Sequence, residues 1–598
     1  MIRFILLFVL PLFLCGCSAD HYVREADRDV QKLVRDREKK TLDYTPQVDV
    51  PVPVVTTVPK RAYEKIPTSP IPPKGAPALE TETVVLPREP LGPDLKVLEA
   101  PPVEGSTWGA ELAARYHPRE PLGPPMPREM TRQFDLFTSL AYAVQHSRAY
   151  QDQMEGVYTT ALNVTLERHL FTPRPFANVG AKYTGGQRTS DFKSALTVTS
   201  EAGVKQQLPY GGEIVASALV DFVNALHGNV EDGETAALAL SGSMPLLRGF
   251  GMINLEPLIS SERSLIYKVR DFEEFRRTFA VEIARSYFNL LAGQQGIRNR
   301  RINLATSIDL RERSQALYDA NRLSALEVQR ARQQELTAQS QLINAEENYQ
   351  SRLDDFKLVL GMPVQEGLDV VPVEMQVSMP KLNVEDAVAM AQRYRLTLTT
   401  AADKVDDAMR AVKNAQNGLL PDLTLTASGS LGNEPETPAV ALQGRTAAYS
   451  AGVTLDLPVD RLKERNQYRS ALIAFQKAQR DFVGTRDAVT ADVRDALRSL
   501  RAAEISLEIQ RVSIELAQRR VEFANIRLTQ GAANSNRDVV EAQTDLLSAQ
   551  DNYEQARSQL QISVLDYMRV TGTLRVDPEA GTIGRVMDRA ALQANNSK

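Results

Sequence analysis

Asp538 and Glu541, in the run Asp-Val-Val-Glu-Ala, are the residues whose type and spacing most directly imply chemistry on a ligand. Three apart on a helix, they share a face and concentrate negative charge there, which attracts cations and repels anions. An exposed acidic turn near a helix N-terminus would also favour both carboxylates, through the helix dipole. Covalent chemistry has no comparable constellation. His21, His117, His146, His169 and His227 show no metal-ligand spacing, and the sequence contains no HExxH, CxxC, phosphate-binding loop or dinucleotide fingerprint. No enzyme, metal site or cofactor is expected.

Cys15 and Cys17 are the only cysteines in 598 residues. Arg3 and the apolar run from Phe4 to Leu14, too short to span a bilayer, read as an export signal over residues 1–16. Leu14-Cys15-Gly16-Cys17 resembles the bacterial lipobox, which implies that Cys15 leaves with the signal and Cys17 becomes an acylated N-terminus. Ser18, where an aspartate would mark inner-membrane retention, implies the outer membrane. A plain signal peptide with incidental cysteines is the alternative reading.

The elements that must position the carboxylates begin well downstream. Pro46 to Pro127 holds 19 of the 33 prolines and repeats Pro-Arg-Glu-Pro-Leu-Gly-Pro at 87–93 and 118–124. Proline fixes φ and removes a donor, so residues 17–130 read as a lipid-anchored, semi-rigid tether; the repeated phrase could also dock another envelope component. A net charge of -5 with mixed signs leaves no nucleic-acid footprint. Beyond residue 16 no run of eighteen apolar residues occurs, so any further membrane-spanning structure must be β.

After Arg132 long helical patterns appear twice. Ile283, Leu290, Ile297, Leu304 and Tyr318 fall on one seven-residue ladder, interrupted once at Arg311, and Val493, Leu500, Leu507, Ile514, Val521 and Leu528 repeat it 210 residues later. Small residues such as Ser307, Ser314, Ala517 and Ala524 lie three beyond the rungs, which permits close, left-handed supercoiled packing. Each long helix, roughly 70 residues or on the order of 100 Å, meets a tight turn, at Asn321 to Ser324 and Gly531 to Ser535. A second helix follows, ending near Leu360-Gly361 and Thr571-Gly572. Further helices are expected over Leu136 to Leu170 and Val384 to Leu419. The boundaries are repeat 1 at 131–366, a linker at 367–382, repeat 2 at 383–575 and a tail at 576–598.

Between helices the period changes to two. Leu423, Leu425 and Ala427 alternate with Thr424, Thr426 and Ser428, and Tyr449, Ala451, Val453 and Leu455 alternate with polar or small neighbours, as in lipid-facing barrel strands. The first copy's β region, from Pro173 to Pro245, is 35 residues longer than that from Pro421 to Pro458. Its surplus, around Val204 to Phe222, reads either as an extra barrel hairpin or as a folded loop. Two strands per copy give about four per chain, too few to close a membrane barrel. Open edges are forbidden in lipid, so several chains must share one barrel.

The duplicated helix-strand-strand-helix-helix plan, prolines 173, 245, 421 and 458, Leu360-Gly361 and Thr571-Gly572 together resemble the outer membrane efflux protein family, the TolC-like outer membrane factors, over about three quarters of the chain. The resemblance implies a mainly α fold with membrane β: a homotrimeric α-barrel tunnel continued by a shared outer-membrane β-barrel. It implies a passive exit duct of a tripartite efflux or type I secretion system, partnered by a periplasmic adaptor and an inner-membrane RND or ABC transporter, and held in outer-membrane lipid. Asp538 and Glu541 match the stretch that carries the acidic pore constriction. Arg322, Leu323, Ser324, Gly531, Ala532 and Ala533 fall at the tips that would contact the adaptor. The family's tyrosine and arginine latch is replaced here by Leu528 and Ala533, which leaves Tyr318, with Arg322, and Glu327 as candidate gate contacts. A lipid-anchored coiled-coil spacer without a pore, and a family member with a permanently closed pore, are the competing readings.

Acyl labelling of the exported protein tests the anchor. The wild type is expected to incorporate label and Cys17→Ser to lose it; an unlabelled wild type would refute the lipid site.

Overall fold

The computed structural model describes residues 19–42, 131–188, 191–227, 233–372, 383–433, 446–457, 459–529, 535–577 and 582–585. Two long helices dominate: Glu256–Asp319, 64 residues, and Leu462–Thr529, 68 residues. We number the helices α1 (Ala19–Leu42), α2 (Leu136–His146), α3 (Arg148–His169), α4 (Glu256–Asp319), α5 (Ala325–Leu360), α6 (Val384–Tyr394), α7 (Leu396–Asn417), α8 (Leu462–Thr529) and α9 (Ser535–Val570). The strands are β1 (Thr131–Phe134), β2 (Arg174–Arg188), β3 (Asp191–Gln207), β4 (Glu213–His227), β5 (Gly233–Pro245), β6 (Gly367–Val370), β7 (Asp422–Gly432), β8 (Ala448–Asp456), β9 (Leu574–Asp577) and β10 (Thr582–Arg585). At 1.5 Å per residue α4 and α8 each run on the order of 100 Å. Helices α5 and α9 both hold 36 residues and start 210 positions apart, so the duplication is in register.

Both long-helix seams divide in two. Ile283, Leu290, Val493 and Leu500 are fully enclosed in the main core with residues of α2, α3 and α9. Further along, the large rungs Ile297, Leu304, Leu507 and Ile514 are only half-buried, while the small side of the heptad, Ser307, Ser314, Ala517 and Ala524, is enclosed. Small residues let α4, α5, α8 and α9 approach within the chain, and the large rungs keep apolar area for a further neighbour. A second small core of Leu310, Ala331, Ala524, Leu528, Val539 and Ala542 closes the hairpin ends.

The shorter helices differ from the sequence expectation. Neither Leu136 to Leu170 nor Val384 to Leu419 is continuous: Ser147 (ψ 124°) and Arg395 (ψ 115°) are extended and split each into two. The break has a tertiary cause, because the glycine that closes the last helix of the same repeat nests in each. A Cβ on Gly361 (φ 78°) would lie 2.1 Å from the carbonyl oxygen of His146, and one on Gly572 (φ 72°) 2.8 Å from the backbone of Tyr394. The Leu-Gly mark thus serves both as a left-handed helix stop and as the insert of a kink.

Six strands, not four, form one antiparallel meander in the order β2-β3-β4-β5-β7-β8. The surplus of the first copy is the added hairpin partner pair β3 and β4. Its turn, Tyr210-Gly211-Gly212, is held where Gly251 N–H donates to Tyr210 O at 2.9 Å. A Cβ on Gly212 (φ 88°) would meet the Ser243 oxygen at 1.8 Å, so β4 can lie against β5 only with glycine there. The pattern was ambiguous because β4 carries Val215, Leu219 and Val223 on the face opposite Ile214, Ala218 and Val220, which blurs the period of two.

Register places Thr424, Thr426 and Ser428 beside Thr454, Gly452 and Ser450 on one face, and Leu423, Leu425 and Ala427 beside Leu455, Val453 and Ala451 on the other. Ions tie the repeats together below the sheet: Arg263 meets Asp407 at 2.9 Å and Asp403 at 3.3 Å, Arg270 meets Asp403 at 2.6 Å, and Arg410 meets Glu256 at 2.9 Å. Pro458, expected as a strand-to-helix mark, lies outside the described residues.

Residues 17–130 were expected to be tether throughout, yet 19–42 form α1, and the expected linker begins with β6. Val30, Leu33 and Val34, on one helical face of a charge-rich stretch, are buried in the main core.

Gly361→Val combines a Cβ clash with positive-φ strain and is expected to destabilise the fold by about 2 kcal/mol or more. An unchanged urea midpoint by circular dichroism would contradict the nested-glycine account.

Candidate gate at the helical hairpin tips

Turn geometry at the first tip follows from Asn321, a non-glycine residue at φ 55°. Its N–H donates to Tyr318 O at 2.8 Å and that of Arg322 to Leu317 O at 2.8 Å, which closes α4 before Ser324 opens α5. Arg322 and Ser324 are exposed and Leu323 is half-buried. Gly531, Ala532 and Ala533 lie outside the described residues, as does Cys17.

Asp538 lies in the first turn of α9 and Glu541 one turn on. Each faces a guanidinium of α8: Arg527 meets Asp538 at 2.8 Å and Arg520 meets Glu541 at 2.9 Å. Arg520 also binds Asp545, and its hydrogen bond to Glu541, with the Asp545 charge, holds the guanidinium pKa above its ordinary value. These acids therefore do not form a bare anionic patch. They are the α9 half of an exposed ladder of ion pairs, individually weak and sensitive to salt.

The candidate gate contacts separate. Tyr318 is half-buried at the end of α4, whereas Glu327 is 7% exposed and pairs with Arg330 one turn along α5. Sequence reasoning missed the residue that joins their two helices. Asn536, with 0% exposure, donates Nδ2 to Ser314 Oγ at 2.8 Å and to the Glu327 carbonyl at 3.2 Å, linking α9 to α4 and α5. Its signal was local: an amide in the first turn of a helix whose 210-residue counterpart is Leu326. Among the described residues no cluster of histidine, cysteine or carboxylate side chains could hold a metal ion.

Helix α1 docks by Tyr158, which donates to Asp27, and by Arg37, 2.8 Å from Glu262. Burial, with the bond to Asp27, raises the Tyr158 phenol to about 12.

Comparison with known proteins follows this geometry. Residues 387–573, most of repeat 2, match the family model "Outer membrane efflux protein". Outer membrane protein TolC of Escherichia coli K12 is 21% identical over 386 residues, covering 62% of this chain and 74% of that protein. The outer membrane protein VceC of Vibrio cholerae superposes with a TM-score of 0.57 at 16% identity over 73% of this chain and 96% of its own. For the CmeC outer membrane channel of Campylobacter jejuni the TM-score is 0.56 at 14% identity, over 77% and 89%.

Removing the amide should loosen three helices at once. Asn536→Leu, which leaves Ser314 Oγ and the Glu327 carbonyl without their donor, is expected to cost about 1–3 kcal/mol, read as faster hydrogen exchange in residues 310–331; unchanged protection would contradict the bridging role. By sequence across its second repeat, and by fold across both, the chain is similar to the outer membrane efflux proteins of TolC type.

Proposed function

We propose that this protein is the outer-membrane exit duct of a tripartite efflux or type I secretion system, a homotrimer that passes small molecules or polypeptides passively outward. One observation carries the reading: a sheet with one apolar and one polar face continues directly into paired helices on the order of 100 Å long. Such a chain can line a membrane pore and a periplasmic tunnel together, and the half-buried rungs Ile297, Leu304, Leu507 and Ile514 supply the area that adjacent copies would cover.

In this reading a periplasmic adaptor docks on the tips, at Arg322, Leu323, Ser324, Gly531, Ala532 and Ala533, and an RND or ABC transporter in the inner membrane supplies the energy. Cys17 carries the acyl anchor, and the helix that follows, α1, fastens that anchor to the body. The constriction forms where Asp538 and Glu541 approach the axis. Their pairing with Arg527 and Arg520 keeps its resting charge compensated, and Tyr318 and Glu327 bear on its closure through the first hairpin.

Two measurements test this. Replacing Arg322 and Ser324 by glutamate is expected to abolish export while oligomer yield stays as in the wild type; full drug resistance or secretion in that variant would remove the tips from docking. Arg520→Ala with Arg527→Ala uncovers the carboxylates, so the reversal potential in planar bilayers is expected to shift toward cation selectivity. No shift would take Asp538 and Glu541 off the conduction path.

A further inference from the structure

The two outer strands of the six-stranded meander, β2 and β8, have no neighbour on their far sides among the described strands. Strand β8 is exposed along all nine residues, with Tyr449 92% and Val453 61% accessible. Strand β2 leaves the helical end and β8 returns to it, so β8 of one copy and β2 of another meet antiparallel, as a closed barrel requires.

Charge selects the same pairing. At the helical end of one edge Arg174 stands directly opposite Lys205, and at the helical end of the other Asp422 stands directly opposite Asp456. Like charges directly opposite are destabilising within a sheet. Following the registers from strand to strand puts all four residues on one face, the polar one that carries Ser428 and Ser450. Arg174 Nε is enclosed without an acceptor, whereas Asp456 is exposed. Each edge carries the excess charge that the other lacks.

We propose that β8 of one copy pairs with β2 of the next, with Asp456 and Asp422 against Arg174 and Lys205, and that three copies close an 18-stranded barrel. The copy number rests on the trimeric duct proposed above; the edge partners and the six strands per copy rest on the sheet itself. Circumference scales with strand number, so the barrel is roughly 1.5 times as wide as one with four strands per chain. At 16–18 strands a barrel leaves an open aqueous channel. The outer portal therefore admits bulky cargo without sorting it, and selection falls to the helical tips.

The test uses the full chain extracted from membranes. Arg174→Cys with Asp456→Cys is expected to give, under mild oxidation, a covalent ladder that stops at three chains, with neither single variant doing so. Exchanging the charges reports the clamp: Arg174→Asp and Asp456→Arg alone should each lower heat-stable oligomer by about fivefold per interface, and the double exchange should restore it. Val220→Cys on the apolar face of β4 reports the added hairpin and should resist a water-soluble maleimide, and Val220→Trp should be quenched by brominated lipid as strongly as Val453→Trp on β8. A trimer that forms without the 174–456 bond, or in which Val220→Cys reacts from water, overturns this barrel and leaves the duct standing. Absence of a trimer overturns both.

Discussion

A β-sheet in lipid must leave no strand edge without a hydrogen-bonding partner, and in the duct proposed above most of the architecture follows from that constraint. Water is not there to satisfy the free N–H and C=O groups, so a six-stranded open meander becomes stable only as part of a closed ring. In the proposed trimer closure needs other copies, and other copies need a helical body that can be arranged around an axis. The division of the α4 and α8 seams meets this need: small residues let the chain's own helices pack closely, while half-buried leucine and isoleucine rungs remain for a neighbour.

Bracing within each repeat by a nested glycine, and between the repeats by charge, is the second organising feature. The stop glycine of α5 fills the kink between α2 and α3, and the corresponding glycine after α9 fills that between α6 and α7. Charges at Glu256, Arg263, Asp403, Asp407 and Arg410 join α4 of one repeat to α7 of the other just below the sheet. Force applied at the tips would thus reach the sheet through helices braced at both levels. The tips themselves rest on a small core, one buried amide and a ladder of exposed ion pairs, which suits the opening that the proposed duct requires of them.

Much of the fold was legible in the residues. The 210-residue offset, the heptads and the ends of α5 were readable because periodicity and left-handed stops are local signals. Kinks at Ser147 and Arg395 were not, since neither is glycine or proline and the cause lies in a glycine more than 170 residues away. The β3 and β4 hairpin was ambiguous because Val215, Leu219 and Val223 interrupt the polar face of β4, and α1 was hidden by its charge. At the hairpin tips, Asp538 and Glu541 were candidates from their spacing, but their pairing with Arg527 and Arg520 depends on the register of two facing helices. Asn536 was missed because an amide shows its importance only when three helices converge on it.

Electron microscopy of the detergent-extracted protein tests the central claim most directly. The account predicts a three-fold particle with a continuous tunnel on the order of 100 Å long, the length set by the helix rise, opening into a transmembrane ring. A monomer, or a particle without three-fold symmetry or an axial tunnel, would contradict it.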